Sequence, residues 1–302
     1  MAPQEINSSE GATTSKSQIE RLARQNTEKK SIEQNMTGVH LVENSGNDRG
    51  WELRADEATG SSDELWVLKK VRVEFFSENI SSFVVSGDIG EIDGRTKNML
   101  IRGKVVTQSA NGYQFITNDL KYYAEGKMLR SDESVEMIGP EDKKGAGFHL
   151  NGQGFKIDIL KNKMFIESDI EASKDIDGKM FNVVSNEAEF SNKNQEALFS
   201  GNVIMTFDKT RITAPQAFFK YSEKLKLLES ITLRDKVNMQ DEGKTAVCKV
   251  LKLNLVDDSM TLSGQPKVQM GEDEIQGDEI IFLEGGKKVK INNVRIQGKE
   301  LR

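Results

Sequence analysis

Cysteine is almost missing from this chain: Cys248 stands alone among 302 residues. One thiol excludes an internal disulfide framework, and its place in an alternating apolar segment favours an inert, buried side chain. Histidine is nearly as scarce, with His40 and His149 more than a hundred residues apart and no cluster of further ligands around either. Neither a zinc centre nor any other cofactor is expected. Of only four prolines, Pro215 and Pro266 fall inside strand-like patterns. A residue without an N–H is tolerated there at an edge or a bulge. No apolar run approaches the roughly 18 residues of a membrane-spanning helix, and no secretory leader pattern is present. Positive charge is not in excess, since 42 basic and 48 acidic residues leave a net charge of −6. That balance argues against nucleic acid as a main partner, because phosphate neutralisation needs a basic patch.

Catalytic signatures are missing as well. Gly152-Gln153-Gly154 begins a dinucleotide-type pattern, but no helical periodicity follows it, so a bent strand is the better reading. Asp175-Ile176-Asp177-Gly178 lacks the glycine offset and closing glutamate of a calcium loop and reads as a hairpin turn. The carboxylate pairs Asp241-Glu242 and Glu272-Asp273 sit in turn-like stretches, where solvated charge is the default. No P-loop, nucleophile elbow or Cys-His pair can be assembled, and an enzyme is not expected.

What the chain does have is a repeat. Val73, Val105, Val135, Ile170, Val203, Val237, Val268 and Val294 recur at gaps of 26 to 35 residues. A period in that range marks a repeat architecture. Around each mark, apolar and polar residues alternate. Phe199, Gly201, Val203, Met205 and Phe207 share one face against Ser200, Asn202 and Thr206, and Met260, Leu262, Val268 and Met270 share another. Period 2 over this length predicts half-buried antiparallel strands. Between the marks lies a second pattern, a small residue followed by a polar pair, as in Ala55-Asp56-Glu57-Ala58, Ser185-Asn186-Glu187-Ala188 and Ala214-Pro215-Gln216-Ala217. It predicts a second strand in each period. Asp93-Gly94, Asn111-Gly112 and Asp177-Gly178 are the candidate hairpin turns.

In four periods a methionine follows the mark by two residues: Met137, Met205, Met239 and Met270. The alternation puts each on the interior face with its valine. Methionine adapts to variable apolar shapes, so the stripe fits either an irregular core or a surface that holds an apolar guest. Residues 1–36 differ from the rest, being rich in Ser, Thr, Glu, Gln, Asn and Lys. Such a segment cannot bury enough surface to offset its ordering entropy, and it reads as a disordered or weakly helical tether.

The strand Gly201-Asn202-Val203-Ile204-Met205, with Ile212-Thr213-Ala214-Pro215-Gln216-Ala217 and Leu262-Ser263-Gly264, resembles the repeated Gly-Asn-Val signature of the OstA-type (LptA-like) lipopolysaccharide-transport proteins of the periplasm. Gly38-Val39-His40-Leu41-Val42-Glu43 and Trp51-Glu52-Leu53-Arg54-Ala55-Asp56-Glu57-Ala58 resemble the start of an LptC periplasmic domain. The resemblance implies an all-β, elongated antiparallel β-jellyroll, LptC-like over 37–173 and OstA/LptA-like over 174–302. It implies a periplasmic protein tethered to the inner membrane by a segment not present in this sequence. It also implies lipopolysaccharide as ligand, an inner-membrane ABC transporter of the LptB/LptF/LptG type as donor, and an LptA-like or outer-membrane LptD-like partner joined by edge-strand pairing.

On that basis Val105, Val135, Met137, Val203, Met205, Phe207, Val237, Met239, Val268 and Met270 are the expected acyl-contact positions. The expected pairing edges are Val39, Leu41 and Val42 at one end, and Val289, Ile291, Val294 and Ile296 at the other. The rival reading is a structural β-solenoid, a bactofilin-like filament protein with a sealed core. A surface adhesin is a weaker third.

Overall fold

The computed structural model describes residues 34–46, 48–61, 64–141, 147–176, 178–191, 193–222, 227–293 and 295–297. Among them there is no helix, and every regular element is a strand. The first nine strands are β1 (Gln34–Ser45), β2 (Asp48–Gly60), β3 (Leu65–Ser77), β4 (Ile80–Asp93), β5 (Met99–Ser109), β6 (Gln114–Tyr123), β7 (Met128–Ile138), β8 (His149–Asp158) and β9 (Lys163–Ile176). There follow β10 (Lys179–Ser185), β11 (Glu187–Ser191), β12 (Glu196–Phe207), β13 (Thr210–Ser222), β14 (Leu227–Asp241) and β15 (Lys244–Asn254). The chain ends in short pieces: β16 (Ser259–Ser263), β17 (Lys267–Met270), β18 (Asp273–Gln276), β19 (Glu279–Leu283), β20 (Lys288–Asn292) and β21 (Arg295–Gln297). Each long strand pairs antiparallel with the one before it, so the chain meanders along a single sheet. The sheet does not break between the two halves, because β9 pairs with β8 on one side and with both β10 and β11 on the other.

The sheet bends along one line, and the valine marks sit beside it. The register shifts just before Val105, Val203 and Val237. The two residues ahead of each take left-handed conformations: Gly103 and Lys104 (φ +77° and +45°), Gly201 and Asn202 (+77° and +52°), Asp235 and Lys236 (+66° and +52°). Such bulges increase twist and bend a strand. Glycine at 103 also serves close packing, since a Cβ there would lie 2.7 Å from Asp88 Oδ2. At 201 it would lie 2.8 Å from Asn186 Cβ. The two sequence patterns are therefore one feature. Asn186, from the small-residue-plus-polar-pair pattern, stacks beside Gly201 of the Gly-Asn-Val pattern. Both belong to bends on neighbouring strands, rather than one to a bend and one to the middle of a straight strand. Pro215 lies in the bulge between Thr213 and Gln216. Pro266 falls between β16 and β17, with Gly264 and Gln265 left-handed before it.

Bending gives each crossing two limbs. The first carries Leu53, Val73, Val85, Val105, Phe115, Met137, Leu150, Val183 and Met205 inward, and the second carries Leu68, Ile101, Leu120, Leu129, Phe155, Ile166, Phe199 and Leu233. All seven described marks, Val73 through Val268, are buried. Each is worth roughly 1.5–3 kcal/mol of apolar burial. A slip of one residue would turn every one of them to solvent, so the pattern pins the register.

One boundary moves. The expected tether ends at residue 36, but Gln34, Asn35 and Met36 belong to β1, paired with Gly60, Thr59 and Ala58. Backbone pairing with β2 recruits residues whose side chains are largely polar. Residues 1–33 lie outside the described part, as do Asp177 of the third candidate turn and the eighth mark, Val294.

Candidate functional site

The space between the limbs is filled in the middle of the molecule and open at both ends. Aromatic rings fill it. Phe75 of the first limb meets Tyr122 of the second at 4.8 Å between centroids, Phe115 stacks on Phe155 at 4.6 Å, and Phe181 meets Phe219 at 6.1 Å. Phe148 packs edge-on to both Phe181 and Phe219. Across the mouth, the hydroxyls of Tyr113 on the first lip and Tyr221 on the second are hydrogen-bonded. Burial pushes the Tyr113 phenol up to about 12, because the charged form would lose its water. Val105, Val135, Met137 and Val203 are buried in this packed stretch, and Val237 is buried beside its C-terminal end.

Beyond Phe219 the fillers become aliphatic and a cavity of ≈ 600 Å³ opens. Met205, Phe207, Ile212 and Met239 line it from the first limb, and Leu228, Ile231, Leu253 and Met260 from the second. A neighbouring cavity of ≈ 350 Å³ shares the walls at Met239, Leu253 and Met260 and continues to Val268, Met270 and Phe282. Together they form an apolar trough toward the C-terminal end, in the size range of ligand sites. Five of the ten expected positions thus line these cavities, Met205 and Val268 as buried parts of the wall and Phe207, Met239 and Met270 partly exposed. The other five face packed side chains. Leu228, Ile231, Leu253 and Met260 also line the cavity although they are not among the expected positions; of these, the alternation in sequence places Met260 on an interior face.

Charge is concentrated at the lips. Lys179 pairs with Asp208 at 2.7 Å and Lys209 pairs with Glu242, both exposed at the first lip. Asp258 lines the cavity from the second. One cation lies deeper. Lys174, on the inner face of β9, is the only charged side chain buried among the described residues, at 5% exposure, and it borders the larger cavity.

A third cavity, of ≈ 370 Å³, lies at the N-terminal end between Met36, Val39, Leu41, Trp51, Trp66 and Ile92. Val39, Leu41 and Val42 sit in β1, paired to Ala55, Leu53 and Glu52 of β2. Among the described residues β1 has no strand on its other side. At the opposite end Val289 and Ile291 of β20 pair with Phe282 and Ile280, and Ile296 of β21 with Ile275. Those two strands likewise have no second neighbour among the described residues.

The singular side chains have structural partners. His40 Nε2 meets Glu52 at 2.9 Å and His149 Nε2 meets Glu136 at 2.7 Å, each pair exposed and on its own stretch of sheet. Cys248 is buried opposite Val237, and burial pushes its thiol up to about 11. Among the described residues no helix is long and apolar enough to cross a membrane.

Comparison with known families decides the kinship. A family model described as "Lipopolysaccharide-assembly, LptC-related" matches residues 10–175, more than half of the sequence. The chain belongs to the LptC-related family. A second model, "LptA/(LptD N-terminal domain) LPS transport protein", matches residues 182–285 of this LptC-related protein. The two matches abut across β9 and β10, where the sheet is continuous. Among solved structures, the chain is similar to LptH, the LptA-homologous periplasmic component of the lipopolysaccharide transport device of Pseudomonas aeruginosa. Identity is 18%, the match covers 40% of this chain and 89% of that one, and the TM-score is 0.34. No curated protein matches. The N-terminal cavity lies within the LptC-related segment, and the C-terminal trough is lined mostly by the LptA/LptD-like segment. The LptC-related protein therefore has its role in lipopolysaccharide transport.

Proposed function

We propose that this chain binds lipopolysaccharide by its acyl chains in the C-terminal trough and relays it outward from an inner-membrane ABC transporter. One observation carries the reading: an apolar cavity of ≈ 600 Å³ opens between the limbs where the aromatic filling ends, and it is lined by Met205, Met239 and Met260. Each methylene withdrawn from water contributes about 0.8 kcal/mol, so acyl chains cross an aqueous space far more readily along such a wall. Methionines suit chains of varied length and branching. The protein acts as a carrier and not as a catalyst. Its sequence has no nucleotide-hydrolysis motif, so direction must come from the transporter. In this reading β1 receives the donor side, and β20 with β21 pairs with an LptA-like or LptD-like partner by strand addition. An N-terminal tether to the inner membrane completes the arrangement.

Displacement of a fluorescent acyl probe by purified lipopolysaccharide tests the proposal. Met205→Asp is expected to abolish displacement while the circular dichroism of the sheet is retained. Full-strength binding by a folded Met205→Asp protein would remove the trough from consideration. The aromatic filling from Phe75 to Phe219 favours a second reading, in which the middle of the molecule is a sealed structural rod. Filament formation without lipid binding is the outcome that reading requires.

A further inference from the structure

A guest taken up at the N-terminal cavity meets a closed interior before it reaches the C-terminal trough. Between the two, Phe83, Phe115, Leu129, Leu150 and Phe155 are fully buried against one another's limbs. The limbs are tied by backbone only along the bend. Every strand pairing in this stretch runs along the sheet, and among the described residues none crosses the mouth. Parting the limbs there breaks side-chain contacts between the lips and no ladder hydrogen bond.

One of those contacts is polar. Tyr113 and Tyr221 join their hydroxyls across the lips, and the Tyr113 ring lies 5.9 Å from that of Phe190 on the second limb. Both tyrosines stand on fixed backbone. The Tyr113 N–H donates to Ser109 Oγ at 3.0 Å, and the Ser109 N–H donates to the Tyr113 carbonyl at 2.9 Å. On the other lip the Tyr221 N–H donates to the Gln195 carbonyl at 2.9 Å. When the lips part, water satisfies both hydroxyls, so the polar part of the contact is cheap to undo. Freedom for the motion lies at the bend, where Gly103, Gly154 and Gly201 are left-handed (φ +77°, +75° and +77°). A few such positions can absorb the dihedral change of a hinge.

We propose that Tyr113 and Tyr221 form a latch on the seam between the limbs. Released, it lets the limbs part and joins the N-terminal cavity to the trough for the passage of an acyl chain. Closed, it retains the chain in the trough, which keeps its own mouth. This rests on the relay of lipid from one end of the molecule to the other.

The test uses the full chain with its methionines replaced by their diazirine analogue, so that the methionine stripe itself reports where a guest lies. Met205, Met239 and Met260 report the trough, and the buried Met137 and Met164 report the packed middle. The protein is incubated with purified lipopolysaccharide and irradiated, and the attachment sites are mapped. The native chain should capture lipid at both sets. Tyr113→Cys with Tyr221→Cys, bridged by a bis-maleimide, should lose capture at Met137 and Met164 and keep it in the trough. The one native thiol, Cys248, is buried and does not compete for the reagent. The same cysteine pair left unbridged should capture at both sets. Tyr113→Phe, which keeps the ring and removes the hydrogen bond, should raise capture at Met137 relative to Met239 by about fivefold, the population shift equivalent to one neutral hydrogen bond. Capture confined to the trough in the native and Tyr113→Phe proteins overturns the latch and leaves the trough as the acyl site. So does capture at Met137 that the bridge does not reduce, or a bridge that removes capture at every methionine. No capture at Met205, Met239 or Met260 in the native chain overturns the trough as well.

Discussion

Phe115 and Phe155 lie in different limbs of the folded sheet, yet their rings stack at 4.6 Å with planes only 18° apart. They are joined through the valine-marked bend of β7, and their contact closes the space between the limbs. Phe115 also meets Phe190 at 6.4 Å, so one ring ties β6 to both β8 and β11. The molecule is a filled rod in the middle and a trough toward its C-terminal end, and stability and binding should separate along its length.

Truncation of the stack should be severe. Phe155→Ala is expected to cost about 3–5 kcal/mol, because a fully buried ring leaves a cavity that rigid strands cannot collapse. Met260→Ala, in the wall of the open trough, should cost under about 2 kcal/mol because it enlarges space already present. Urea unfolding of the two variants checks the ordering. Equal losses would mean that the middle is no better packed than the end.

The clasp across the mouth predicts an alkaline transition. Tyr113 titrates at about 12 in the folded chain and near its ordinary value of about 10 when unfolded. Between those values the unfolded chain gives up a proton that the folded one keeps, so stability falls as pH rises from about 10 to about 12, by up to about 3 kcal/mol from this group. Below pH 10 its contribution is constant. Tyr113→Phe should lose about 1 kcal/mol at neutral pH, for the missing hydrogen bond to Tyr221, and should make the alkaline slope shallower by this group's share, leaving those of Tyr122, which burial also pushes up to about 12, and of Cys248. Chemical denaturation at pH 8, 10 and 11.5 reads both effects. An unchanged slope in the variant would place the sensitive group elsewhere.

The bend line predicts a contrast between two glycines of similar conformation. Gly201 (φ +77°) has Asn186 Cβ 2.8 Å from where its own Cβ would be, whereas Gly178 (φ +81°) has nothing within 4 Å. Gly178→Ala should cost only the left-handed penalty of about 1–2 kcal/mol. Gly201→Ala should cost more, about 2–4 kcal/mol, because neighbouring bends must also spread. Thermal unfolding under identical conditions compares them. The close approach along the bend would be unimportant if the two melted together.

Much of this fold can be read from the residues. Alternation from Phe199 to Phe207 specifies a strand and its buried face, and Gly201-Asn202 before Val203 marks a bend, because glycine and asparagine tolerate left-handed backbone. The equivalent bend at Asp235-Lys236 is harder to see, since it has no glycine, and of its two left-handed residues only the aspartate is of a type that tolerates that backbone. Period 2 tells which face of a strand is interior but not how far apart two interior faces lie. Val105 and Met239 therefore look alike in sequence, while one faces packed side chains and the other a cavity. The missed lining residues Leu228 and Leu253 sit on the second limb, which the valine marks do not track. The difference is made by the aromatic fillers. Phe115, Phe155, Phe181 and Phe219 come from four strands, and only the folded register brings them together.

The most direct test of the trough places a photoreactive side chain at Met239, facing the cavity, and separately at its exposed neighbour Asn238, in protein incubated with lipopolysaccharide. Acyl chains held between the limbs should be captured from position 239 and not from position 238, with capture suppressed by excess unlabelled lipid. Equal capture from both positions, or none from 239 in a folded protein, would contradict lipid transport through this trough.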